Sequence, residues 1–180
     1  MRDLSDKSAV QVEALPQTGM ITLRVELTEP GLGETLARLG LSLPATREIL
    51  TEGAGQIAWM SPDELMLIVP LAEVQATIDT LKDGLSDAHV LVADVSDARA
   101  RFALSGPGAR ETLAKLCPVD LAPGHFQPGE LRRTRLAQVA GAFWMTGPES
   151  FEIVSFRSVA DYDERLQRDA AAMGVEGLSL

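Results

Sequence analysis

Cysteine is almost absent from this 180-residue sequence: Cys117 stands alone, so no intrachain disulfide can form and nothing in the composition points to an oxidising compartment. Histidine is nearly as scarce, and His89 and His125 make no metal-ligand spacing with each other or with the cysteine. Cations are outnumbered, 16 Lys plus Arg against 26 Asp plus Glu, for a net charge of −10. That balance excludes a dedicated nucleic-acid binder, which needs clustered positive charge to displace counterions from phosphates. No apolar run approaches the ~20 residues of a membrane span. The opening residues carry Asp3 and Asp6 with no apolar stretch, unlike a secretory leader. The expectation is a cytoplasmic chain with neither nucleic-acid nor membrane partners. What is present is the mix of a soluble globular protein, 46% apolar and 23% charged residues. One domain over residues 1–180 accounts for that length, with 1–8 and 175–180 as flexible ends.

The chain repeats itself. Residues 24–40, RVELTEPGLGETLARLG, align without a gap on residues 101–117, RFALSGPGARETLAKLC, with nine identities in 17 positions. The pairs include Arg24/Arg101, Pro30/Pro107, Gly31/Gly108 and the run from Glu34/Glu111 to Ala37/Ala114. Downstream, Trp59-Met60-Ser61-Pro62-Asp63 resembles Trp144-Met145-Thr146-Gly147-Pro148-Glu149 with one residue inserted. Such self-similarity marks a duplicated structural unit, with copies over about 20–86 and 89–173.

Both copies follow one element order. Residues 22–27 and 101–104 are β-branched or apolar runs that read as strands. A Pro/Gly turn and a helix follow each, with Ser105 or Gly106 as the N-cap of the second. Then comes a hairpin, 56–60 with 65–69 and 136–145 with 151–156, around Pro-containing turns. A helix closes each copy: Val74, Ile78, Leu81 and Leu85 recur at helical spacing in the first, and 159–173 forms the second. Ser158 caps that last helix, with Asp161 in its first turn. Residues 10–15 and 89–95 read as strands leading into the copies. The unit is β-α-β-β-α, twice, which gives an α+β fold with largely antiparallel sheet.

The candidate chemistry is sparse. Gly53-Ala54-Gly55-Gln56-Ile57-Ala58 fits G-x-G-x-x-A, but a dinucleotide site needs a strand before the glycines and a helix after them. Here the order reads reversed, with 45–50 helical and a strand following. Ser105-Gly106-Pro107-Gly108 opens a helix and reads as a cap rather than an anion site. Cys117 lies at a helix C-terminus, where nothing lowers a thiol pKa. His125 sits in a Pro/Gly loop with no evident Ser or Asp partner. Asp94-Val95-Ser96-Asp97 at a strand end reads as a turn. Arg132-Arg133-Thr134-Arg135 is the one basic run; on a strand Arg133 and Arg135 share a face, either as solvated edge charges or as contacts to an acidic partner. Arg157 and Tyr162 are candidate partner contacts beside the last helix. No catalytic, cofactor or metal residue emerges.

Five pieces in order carry a family resemblance: D-V-S-D at 94–97, S-G-P-x-A at 105–109, C-P-x-D-L at 117–121, F-x-P-G at 126–129 and R-S-x-A-D-Y at 157–162. Together with Ala58-Trp59-Met60-Ser61-Pro62-Asp63-Glu64-Leu65, they resemble the gamma subunit of heterotetrameric sarcosine oxidase over about residues 20–172. The resemblance implies a fold like the folate-binding domain of glycine-cleavage aminomethyltransferase. It also implies a role as a non-catalytic accessory chain beside alpha, beta and delta subunits. In that complex sarcosine is oxidised to glycine, hydrogen peroxide is made and the one-carbon unit passes to tetrahydrofolate. FAD, FMN, NAD and tetrahydrofolate are then expected in the partner subunits and none in this chain. One departure is the charged Asp163-Glu164-Arg165 where the family pattern leads to an aromatic-rich helix. The alternative is a stand-alone folate-binding or aminomethyltransferase-like protein, distinguished by micromolar tetrahydrofolate binding without partners.

Overall fold

The computed structural model describes residues 10–173; the ends expected to be flexible lie outside the described residues. The first copy runs β2 (Gly19–Arg24), α1 (Leu32–Arg38), β3 (Ile49–Glu52), β4 (Gly55–Ser61), β5 (Glu64–Val69) and α2 (Val74–Gly84), with β1 (Gln11–Ala14) ahead of it. The second runs β7 (Arg99–Ser105), α3 (Ala109–Ala114), β8 (Leu131–Leu136), β9 (Val139–Gly147), β10 (Ser150–Phe156) and α4 (Ala160–Ala172), with β6 (Leu91–Asp94) ahead of it. The duplication therefore extends to every element, and each copy holds one strand more than the sequence pattern shows. The added strands, β3 and β8, are short and lie at sheet edges.

The chain divides into two compact units, Gln17–Arg99 and a second made of the described residues up to Pro16 and from Ala100 on. Their strand orders are β3-β4-β5-β2-β6 and β8-β9-β10-β7-β1, so corresponding strands occupy corresponding places. The two leading strands are exchanged. β1 precedes the first copy but pairs antiparallel with β7 of the second, Val12 opposite Leu104. β6 precedes the second copy but pairs antiparallel with β2 of the first, Val92 opposite Leu23.

In the Gln17–Arg99 unit, α1 and α2 cover one sheet face. Ile21, Leu23, Leu65 and Leu67 from the strands meet Leu32, Leu36, Val74, Ile78, Leu81 and Leu85, the last four being the stripe read from the sequence. Each such side chain contributes about 1.5–3 kcal/mol by leaving water. The two helices come close because Gly84 has no side chain: a Cβ there would lie 2.3 Å from Thr35 Oγ1. The opposite face is also buried, with Met20, Ala58, Met66 and Ile68 shielded from solvent. β5 is thus apolar on both sides, which explains its unbroken Leu-Met-Leu-Ile-Val run.

In the other unit α3 and α4 lie over Phe102, Leu104, Phe143, Phe151 and Ile153. Phe126, Phe143 and Phe151 form a ring cluster with centroids 5.5–6.4 Å apart. Several local expectations change. β2 stops at Arg24, short of Leu27. Residues 45–48 form a turn, closed by the Ala45 N–H donating to Glu48 Oε2 at 2.7 Å, and β3 begins at Ile49, so there is no helix over 45–50. The N-cap of α3 is Gly108 rather than Ser105 or Gly106; its φ of 91° is a left-handed conformation suited to glycine. The N-cap of α4 is Val159, because Arg157–Val159 form a 3-10 turn that takes up Ser158.

Candidate functional site

Among the hollows of the described residues are two within the Gln17–Arg99 unit. The larger, about 580 Å³, is lined by Arg24, Glu26, Asp63, His89 and Leu91 among others. Its guanidinium is already engaged: Arg24 reaches Asp63 at 3.2 Å and the buried Glu64 at 3.1 Å. Two carboxylates on one arginine leave no positive excess to hold an anion. The smaller, about 180 Å³, is lined by Gly53 and Gly55 together with Glu52 and Glu73. Here the G-x-G-x-x-A segment is the turn of the β3–β4 hairpin, with carboxylates where a pyrophosphate would need amides at a helix N-terminus. The segment does not fit a dinucleotide. The Asp94 region is a turn, as read: its Oδ1 accepts from the Ser96 hydroxyl at 2.6 Å and the Ser96 N–H at 2.9 Å, and these bonds hold the carboxyl below its ordinary pKa of 3.8.

In the other unit the long connection between α3 and β8 carries Cys117 and His125. The thiol is buried, donates to Leu113 O at 3.4 Å, and is pushed up to about 11 by desolvation, which makes it an inert side chain. His125 does have an acidic partner, contrary to the sequence reading: Nδ1 lies 2.7 Å from Asp120 Oδ2. Asp120 also accepts from the Ala122 N–H, and that bond, with the histidine, lowers its pKa. The D-L-x-x-x-H spacing at 120–125 was the available signal. Both groups are largely exposed, and among the described residues no three His, Cys, Asp or Glu side chains gather as a metal site. Arg110 fastens this connection from inside, donating to Leu121 O at 2.6 Å and Phe126 O at 3.0 Å.

The face of α4 turned inward carries polar side chains beside its buried Ala170 and Ala171. Asp163 and Gln167 are fully buried, one helical turn apart, and Ser155 of β10 is buried beside them. Burial outweighs the help of Ser155 and Gln167 and raises the Asp163 pKa, while no well-formed hydrogen bond reaches either carboxyl oxygen. The charged sequence 163–165 hid this, because Asp163 reads as a surface residue until it is counted at i, i+4 and i+7 with Gln167 and Ala170.

The partner-contact candidates fall on two layers. β8 is an edge strand, and its register puts Arg133 opposite Ala142 and Arg135 opposite Ala140 on β9. Ala142 in turn faces Val154 on β10. These residues lie on the sheet face opposite Phe143, Phe151 and Ile153. That face is buried at Leu131, Ala142, Trp144 and Val154 and emerges into solvent at Arg133, Arg135, Ala140 and Phe156. Phe156 is 44% exposed and was not singled out from the sequence. Arg157 follows it at the corner. Tyr162, also 44% exposed, stands on α4 in the helical layer and does not share the arginine face.

A duplicated α+β chain with these two corresponding antiparallel sheets has the fold of the aminomethyltransferase class. It superposes on the glycine cleavage system aminomethyltransferase T of Bartonella henselae with a TM-score of 0.57 at 16% identity, over 98% of this chain and 54% of that one, a likeness of fold. The chain belongs to the sarcosine oxidase gamma subunit family, which matches residues 25–173. It is 30% identical to the gamma subunit from Corynebacterium sp. (strain U-96) over 162 residues, 89% of this chain and 78% of the relative. It also matches a chain of the heterotetrameric sarcosine oxidase of Corynebacterium sp. U-96 with a TM-score of 0.85 at 28% identity, over 97% of this chain and 89% of that one. The family is the one to which the ordered motifs pointed.

Proposed function

We propose that this chain is the accessory gamma subunit of a heterotetrameric sarcosine oxidase and performs no chemical step itself. The observation that carries the reading is the TM-score of 0.85 across 97% of the chain with a chain of that complex. Its partners are alpha, beta and delta subunits, which hold FAD, FMN, NAD and tetrahydrofolate. The assembly oxidises sarcosine to glycine, yields hydrogen peroxide and delivers the one-carbon unit to tetrahydrofolate, in the cytoplasm. The acidic β3–β4 turn supports the assignment of dinucleotides to the partners, since Glu52 and Glu73 flank its glycines.

Co-expression with the host's sarcosine oxidase subunits tests this. The chain is expected to co-purify with yellow flavoprotein subunits that make hydrogen peroxide from sarcosine. The purified chain alone is expected to be colourless and to leave tetrahydrofolate unbound at micromolar concentration. Micromolar folate binding without partners supports the stand-alone folate-binding reading instead.

A further inference from the structure

The subunit reading leaves open where the chain docks. We propose that the exposed end of the sheet face carrying Arg133, Arg135, Ala140 and Phe156 is the docking surface, and that its occupant is an acidic surface of a partner polypeptide with an apolar side chain at its centre. This inference rests on the accessory-subunit reading.

Three observations converge. The face is continuous with buried structure: Val154 and Ala142 are shielded, and Phe156 lies two residues beyond Val154 on the same side of β10. Phe156 is therefore held by a rigid strand, so little conformational entropy is lost when it is covered. Next, the small Ala140 lies across the hairpin, opposite Arg135, so no bulky side chain of β9 covers this exposed end of the face. Arginine beside an aromatic residue is the composition enriched at interface centres, where a few such side chains carry most of the affinity. Finally, the charge is of the wrong sign for the rest of the molecule. A chain of net charge −10 places Arg133 and Arg135 on one exposed row, with Arg157 next to Phe156. Exposed arginines in a row of this kind favour encounter with an acidic partner surface over a basic one.

The test measures binding of the full chain to the co-expressed flavoprotein subunits, with Phe156→Ala, Arg135→Glu and Arg38→Glu compared at two salt concentrations. Arg38 is an exposed residue of α1 paired with Asp83, and its reversal changes the net charge as Arg135→Glu does. Expected are binding at least tenfold weaker for Phe156→Ala and slower, less salt-sensitive association for Arg135→Glu, with wild-type behaviour for Arg38→Glu. Thermal melting checks that each variant is folded; Arg135→Glu, on an exposed edge strand, carries the test if Phe156→Ala melts early. If the wild-type chain binds and both face variants bind equally well, the docking surface lies elsewhere and the subunit reading stands. If the folded wild-type chain does not bind these subunits, the subunit reading fails and the docking proposal with it. Binding of the wild-type chain to heparin or to phosphatidylserine vesicles, lost in Arg135→Glu, assigns the face to a polyanion and overturns the protein partner.

Discussion

Asp163 and Asp94 are both carboxylates, yet their environments drive stability in opposite directions with pH. Burial raises the pKa of Asp163, so the folded chain holds a proton that the unfolded chain gives up. Its contribution is most favourable below the ordinary carboxyl value of 3.8 and is lost as pH rises through the raised folded value. Asp163→Asn removes the titration and keeps the shape; it is expected to stabilise the chain by about 1 kcal/mol at pH 7, with the gain vanishing near pH 4. Urea titrations at the two pH values check this, and an equal effect at both would reject a buried ionisable group. Asp94 has the reverse sign. Its two bonds from Ser96 lower its pKa, so it supports the fold above 3.8 and ceases to as pH falls through the lowered value. Because Asp94 is solvent-exposed, screening keeps this small: Asp94→Ala is expected to cost about 0.5 kcal/mol or less at pH 7 and still less in acid.

The exchange of β1 and β6 is where local pattern and global pairing part company. Hydrophobic periodicity identifies the stripe Val74–Leu85, the hairpins and the duplication itself, because these follow from spacing within one segment. It carries no information on which sheet a strand joins: Val10 and Val12 are buried with Phe102 and Leu104, some 90 residues on. The short strand β3 escaped, and β8 was legible only at its arginines, for a related reason. Their partners form through tight hairpins at Gly53 and at Ala137, whose φ is 49°, and the three arginines of β8 mask its alternation. Of the candidate site, Arg133 and Arg135 were legible as a shared strand face, whereas Phe156 needed the sheet register to join them. Hydrogen exchange tests the pairing: β1 amides are expected to open with β7 and α4, and β6 amides with β2 and α2, as two cooperative groups. The α3–β8 connection gives a second test at this scale. Arg110→Ala strips two carbonyls of their donor and is expected to cost about 2–3 kcal/mol and to open residues 117–130 to limited proteolysis first.

At the scale of the whole molecule, charge does two things that salt separates. With 26 acidic against 16 basic side chains, the folded chain repels itself near neutral pH, and compaction concentrates that repulsion. Added salt shortens the screening length to about 8 Å at physiological strength and relieves it. Raising NaCl from 10 to 300 mM at pH 8 is expected to increase the melting temperature by a few degrees, on the order of 1 kcal/mol for a chain of this size. Docking through Arg133, Arg135 and Phe156 responds oppositely, because the same ions screen the attraction between the arginine row and an acidic partner. Stability and affinity should therefore move in opposite directions along one salt series. The sequence pI of about 4.6 supplies the control: near that pH the net charge vanishes, and the salt dependence of melting should flatten. A melting temperature that still climbs steeply with salt at pH 4.6 points to excluded-ion effects on apolar burial rather than to relief of self-repulsion, and removes the charge argument for stability while leaving the arginine face to be judged by its own variants.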